Sequence, residues 1–107
     1  MTIANQLIFH AKEESITPLK ELLNTLVEVS LAESGCQKFE LYQRFDDRSY
    51  FYITEIWKSE KRYKAHTEDP SFQNMMSEIT TLSSSHERHA LKLTQCLTKL
   101  GLKKGAK

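Results

Sequence analysis

The sequence predicts an α+β domain in which one four-stranded antiparallel sheet carries its helices on a single face. Period-two alternation in separate short stretches, helical spacing in the stretches between them, and the order in which the two alternate all point to it. Residues 3 to 10, IANQLIFH, read as a strand with Ile3, Asn5, Leu7 and Phe9 on one face. ITPLKELLNTLVEVSLAESG then reads as a helix. Thr17 is placed to cap it, Pro18 fits the first helical position and Gly35 fits the end. Leu19, Leu22, Leu23, Leu26 and Val27 recur at the spacing of a buried stripe.

CQKFELYQRF alternates again, with Phe39, Leu41 and Phe45 opposite Lys38, Glu40, Tyr42 and Arg44. DDRS has turn chemistry, and YFYITEIW returns as a strand rich in aromatic and β-branched residues. Lys58–Ser59 turns the chain into a short helix from about residue 60, whose inward stripe holds Tyr63 and His66. Pro70 opens another helix, with Phe72, Met75, Met76, Ile79 and Leu82 inward. SSSHERH reads as a loop and ALKLTQCL as the last strand. The domain is expected to span residues 1–98, and residues 99–107 to form a basic C-terminal tail. The order β-α-β-β-α(α)-β is the ferredoxin-like pattern.

Sorting the strands by parity separates two faces. The odd face holds Ile3, Leu7, Phe9, Phe39, Leu41, Phe45, Phe51, Ile53, Trp57, Leu91, Leu93 and Leu97, and is expected to meet the helices. Each strand interrupts it once with a polar residue: Asn5, Gln43, Glu55 and Gln95. A polar group under a helix layer is costly unless paired, so these residues are satisfied there or line a cavity. The even face, with Ile8, His10, Tyr42, Tyr50, Tyr52, Ile56, Ala90, Thr94 and Cys96, is too aromatic for a wet surface and suits a second copy of the chain.

At 107 residues, 39% hydrophobic and 27% charged, the chain has the size and composition of one globular domain. A net charge of +1 sets up no field favouring nucleic acid or anionic membrane. MTIANQLIFHAKEE lacks the marks of a signal peptide, and Cys36 and Cys96 form no CxxC pair; reduced thiols in the cytoplasm are expected. Only Gly35, Gly101 and Gly105 are glycines, so neither a dinucleotide fingerprint nor a phosphate loop is present. No cofactor and no metal is expected; His86 and His89 lack the spacing of a zinc helix.

His66 is either a proton carrier at neutral pH or an inert, hydrogen-bonded histidine at a helix end. Glu55 on an apolar strand face is either a perturbed carboxylate or an anchor for a cation or helix N-terminus. Trp57, Phe72, Met75 and Met76 suit a core as well as a pocket wall.

ESGCQKFELYQ and FYITEIWKSEKRYKAHTEDPSF resemble the antibiotic biosynthesis monooxygenase domain family. That family shows a GC-x-x-Y/F-E-L-Y strand, matched by Gly35, Cys36, Phe39, Glu40, Leu41 and Tyr42. Its E-x-W strand end matches Glu55 and Trp57, and its A-H-x-x-x-P-x-F junction matches Ala65, His66, Pro70 and Phe72. The resemblance runs from about residue 3 to about 97 and implies a dimeric ferredoxin-like barrel. Members include oxygenases acting on quinols and polycyclic phenols without cofactor, haem degraders and an isomerase. Haem-degrading members have a Trp where this chain has His66 and a His where it has Met76. Polyketide-tailoring members have Asn and Trp at the positions of Arg62 and His66, and many members have a His at the position of Ser71. The resemblance therefore implies a cofactor-independent monooxygenase taking O₂ and a small phenol or quinol. His66 would act as base, Asn5 and Glu55 would orient substrate, and Trp57, Tyr63, Phe72 and Met76 would wall the site. The alternatives are an isomerase using the same histidine and a non-catalytic ligand-binding dimer.

Overall fold

The computed structural model describes residues 1–95. Strands β1 (Ile3–Ala11), β2 (Cys36–Gln43), β3 (Tyr50–Trp57) and β4 (Ser83–Leu91) pair antiparallel in the order β2-β3-β1-β4. Helices α1 (Ile16–Leu31), α2 (Glu60–Glu68) and α3 (Pro70–Leu82) cover one face of the sheet, giving the ferredoxin-like α+β fold. Leu19, Leu23, Leu26 and Ser30 form the buried stripe of α1 and meet Phe9, Phe39, Phe51, Ile53 and Trp57 from the sheet. Leu22 and Val27 flank that stripe half-buried.

The end of α1 differs from expectation. A short 3₁₀ turn, Glu13–Ser15, precedes the helix, and Ser15 rather than Thr17 stands at the cap. Pro18 is still harmless, because amide hydrogens of the first turn have no helical partner. Gly35 does not close the helix, and no glycine among the described residues has a positive φ. Its role is steric: a Cβ there would overlap Cβ and Cγ of Arg62. Helix α2 thus packs directly on the α1–β2 turn.

Helix α2 starts where Ser59 accepts the amide hydrogen of Arg62. Pro70 opens α3 one residue after Asp69. Ile79 is fully buried, while Phe72, Met75, Met76 and Leu82 pack on the core half-buried.

The main correction concerns β4. SSSHERH is strand, directly after α3, and pairs with β1 through Phe9↔His86, Leu7↔Arg88 and Asn5↔Ala90. Its polar composition suits an edge strand, where one side of the ladder stays in water. Because β1 presents its odd residues to the helices, the register gives β4 its even ones: His86, Arg88 and Ala90. Leu91, opposite Ala4, is on the other face, and Leu93 and Gln95 follow the end of the strand. Phe45, also expected inward, lies past the end of β2 and is fully exposed. Leu97, Cys96 and residues 99–107 lie outside the described residues.

The Gly35 contact makes a specific prediction. Gly35→Ala overpacks the turn against α2 and is expected to cost about 1–3 kcal/mol. The fall in denaturation midpoint checks it; Arg62→Ala, which keeps the Cβ that position 35 meets first, is expected to recover only a small part of that loss.

Candidate functional site

Helix α2 and the α1–β2 turn are tied together at several points. Lys58 donates its amide hydrogen to the Gly35 carbonyl (2.8 Å), and Arg62 Nη1 donates to Ser34 Oγ (2.8 Å). The turn itself is held by Glu33 N to Ser30 O (3.0 Å) and Cys36 N to Glu33 O (3.1 Å). His66 lies one helical turn beyond Arg62 and so meets the same turn. Its Nδ1 is 2.8 Å from Glu33 Oε2. A carboxylate only accepts, so Nδ1 carries the hydrogen, and in the neutral ring Nε2 then keeps its lone pair.

The imidazole is 2% exposed and caged by aromatic rings. Phe72 lies with its centroid 4.2 Å away and Trp57 with its centroid 4.3 Å away. Phe39 approaches edge-on at 6.2 Å. Glu33, by contrast, keeps 35% of its side chain exposed, so the pair runs from the interior to solvent. A cavity of about 380 Å³ on this side is lined by Glu33, His66 and Ser30, whose buried hydroxyl has no partner among the described residues.

A second cavity of about 380 Å³ lies between the helices and the sheet, within the size range of small-molecule sites. Leu7, Phe9, Phe39, Phe72 and Met76 supply its apolar wall. His66, Tyr63, Glu55, His86 and Arg88 supply the polar groups. Burial, and next the Glu55 carboxylate, push the Tyr63 phenol above its ordinary value; Arg88 and the Asn5 amide partly offset this.

Of the residues singled out from the sequence, His66, Glu55, Tyr63, Phe72 and Met76 line this cavity. Asn5 and Trp57 stand behind it. Glu55, 2% exposed, accepts from Trp57 Nε1 (2.8 Å) and from Asn5 Nδ2 (3.0 Å), while Asn5 Oδ1 accepts from Arg88 Nη1 (2.9 Å). The four side chains form one hydrogen-bonded chain across β3, β1 and β4. Gln43, another polar interruption, is satisfied by the Arg48 carbonyl at 2.8 Å.

Glu33 and Arg88 were missed in the sequence. An acidic residue beside Gly35 was a weak signal for a histidine partner; Arg88 was hidden by the assignment of its strand to a loop. The strand pleat places His86 opposite Phe9, on the helix face, and His89 opposite Gln6, on the other. Among the described residues no three of His, Cys, Asp or Glu come together as a metal-ligand set.

A four-stranded antiparallel sheet with its helices on one face and a cavity between them defines a ferredoxin-like α+β domain. The model of the antibiotic biosynthesis monooxygenase family matches residues 2–78, and the chain belongs to that family. It is 31% identical over 61 residues to "Putative monooxygenase YcnE" of Bacillus subtilis, covering 57% of this chain and 64% of that relative's length. It is similar in fold to Rv0793 from Mycobacterium tuberculosis, with a TM-score of 0.83 at 19% identity, covering 92% of this chain and 100% of the other. It is also similar in fold to SnoaB, a cofactor-independent oxygenase from Streptomyces nogalater, with a TM-score of 0.83 at 12% identity, over 92% and 98% of the two chains.

The Tyr63 shift fixes a sign. Above the ordinary tyrosine value of 10.0 the unfolded chain loses this proton while the folded one keeps it. Stability is therefore full below that pH and falls as pH rises through the folded value. Tyr63→Phe is expected to lose less stability over that alkaline window, measured as the midpoint difference between the two proteins in urea. Separately, Glu55→Ala strands two buried N–H donors and is expected to cost about 1–3 kcal/mol for each, with a red shift in the emission of Trp57.

Proposed function

We propose that the protein is a monooxygenase that oxidises a small phenol or quinol with O₂, with His66 as the base. The observation that carries this reading is the His66 imidazole in the wall of the inner cavity, with Glu33 bound to its Nδ1 from behind. His66 Nε2 takes the hydroxyl proton of the substrate, and Glu33 stabilises the imidazolium that forms. The resulting anion is electron-rich enough to pass an electron to O₂. Recombination forms a C–O bond as a peroxide; the O–O bond then breaks. One oxygen atom stays on carbon and the other leaves as water with two substrate hydrogens, so every electron that reduces O₂ comes from the substrate. Phe72, Phe39 and Met76 keep water from the anion, and the partly exposed side of Glu33 gives the proton a way out to solvent. The bare, half-buried even face of the sheet supports a homodimer in which Ile8, Tyr50, Tyr52 and Ile56 are covered.

The test is O₂ uptake by the metal-stripped protein against quinols and anthrone-like phenols, corrected for autoxidation. Uptake above that background is expected, with a loss of about 10²–10⁴-fold in His66→Ala. Glu33→Gln is expected to lower kcat while leaving KM near its original value, because the carboxylate acts on the base rather than on the substrate. No uptake across the panel, together with His66-dependent isomerisation of a hydroxy-ketone, would assign the other proton-transfer chemistry to the same pair.

A further inference from the structure

The cavity beside His66 is not isolated. A larger cavity of about 760 Å³ opens between α2 and the paired ends of β1 and β4, with Ile3, Leu91 and Leu93 in its wall. Tyr63 and Arg88 line both cavities and mark the seam between them. Arg88 donates to Asn5 Oδ1, also bonds the Tyr63 hydroxyl, and forms no ion pair among the described residues. Glu87, its neighbour on β4, pairs with His89 on the other face instead (2.9 Å). Glu55 borders the inner cavity and Glu60 the outer one, but Asn5 stands between Arg88 and Glu55. A guanidinium with unused N–H donors therefore faces an apolar space, next to a phenol that holds its proton. Both are donors. Once a bound ring has displaced the water there, such a pair favours an ionised oxygen over a neutral one.

We infer that Arg88 and Tyr63 form an anion-binding seam that receives an ionised oxygen of an aromatic substrate, while the outer cavity takes an apolar substituent on the same ring. The substrate class is thus an amphiphilic phenol: the ring in the inner cavity, the oxyanion at the seam, an alkyl arm outward. Arg88 is exposed on the edge strand, but it reaches two cavities with largely apolar walls, and a substrate seated there would shield it from water. The inference rests on the inner cavity being the substrate site, and not on the reaction that takes place there.

The experiment uses the full chain with 4-nitrophenol and 4-nitroanisole, each with and without a hexyl group next to the oxygen. Quenching of Trp57, the single tryptophan, reads affinity. Nitrophenolate absorbance across pH reads the ionisation of the bound probe. The expected results are phenolate binding about tenfold tighter than the ether and a matching downward shift of the bound phenol's ionisation. Arg88→Gln abolishes both effects and Arg88→Lys restores most of them. Tyr63→Phe, which removes one oxygen atom, reduces them and serves if Arg88→Gln does not fold. The hexyl group tightens binding at least about tenfold, a few buried methylenes' worth. Ala90→Phe, filling the outer cavity, removes that gain and spares the unsubstituted phenol. Equal affinity for phenolate and ether, or an ionisation shift that survives in Arg88→Gln, overturns the seam; a hexyl group without effect overturns the outer subsite. Shifted ionisation without O₂ uptake from quinols overturns the reaction and keeps the seam, and uptake without discrimination does the reverse.

Discussion

Helix α2 approaches the α1–β2 turn so closely that a Cβ on Gly35 would overlap the Arg62 side chain. That approach sets the height of α2 above the sheet. It places His66, one turn further along the same helix face, within 2.8 Å of Glu33. It also lets the imidazole slot between Trp57 and Phe72. A larger residue at position 35 would lift the helix, lengthen the Glu–His contact and open the aromatic cage together. The glycine serves proximity, not a left-handed turn.

The sheet needs a second constraint, because Glu55 is a carboxylate under a helix layer. Two N–H donors from Asn5 and Trp57 satisfy it, and Arg88 completes the chain through Asn5. Hydrogen bonds to a charged group contribute about 1.5–3 kcal/mol each, enough to hold a buried acid that would otherwise be expensive. Register makes the chain possible: Asn5 faces Glu55 across β1 and β3, and Ala90 on β4. A slip of one residue in either pairing would turn these side chains to opposite faces. Fold and site therefore share one specification.

The two polar systems have different environments. Glu55 is buried, accepts from two N–H donors and borders the inner cavity. Glu33 is partly exposed and backs a titratable ring. Under the proposed reaction, acid–base work falls to the pair that reaches solvent. Asn5 and Trp57 are hydrogen-bonded into the same chain as Glu55, and Arg88, at its end, lines both cavities.

Strands β1, β2 and β3, all three helices and the helix-facing parity of Asn5, Glu55 and Trp57 were legible in the sequence, because alternation and helical spacing record which side of an element meets the core. The histidine, its aromatic neighbours and the tyrosine beside it were legible for the same reason: they share the inward stripes of α2 and α3 and the ends of β2 and β3. Strand β4 was not. SSSHERH carries no apolar pattern, and only the free edge of β1 gives it a partner for its backbone groups. Losing β4 hid Arg88 and the junction of the two cavities, and inverted the faces assigned to Ala90 and Leu91. Glu33 was hidden because the acid that meets a histidine 33 residues away is chosen by how closely two backbones pack. Local periodicity determined the elements and their buried faces; the pairing of an edge strand and the approach of a helix to a turn, which depend on groups far apart in the chain, were decided only by the tertiary structure.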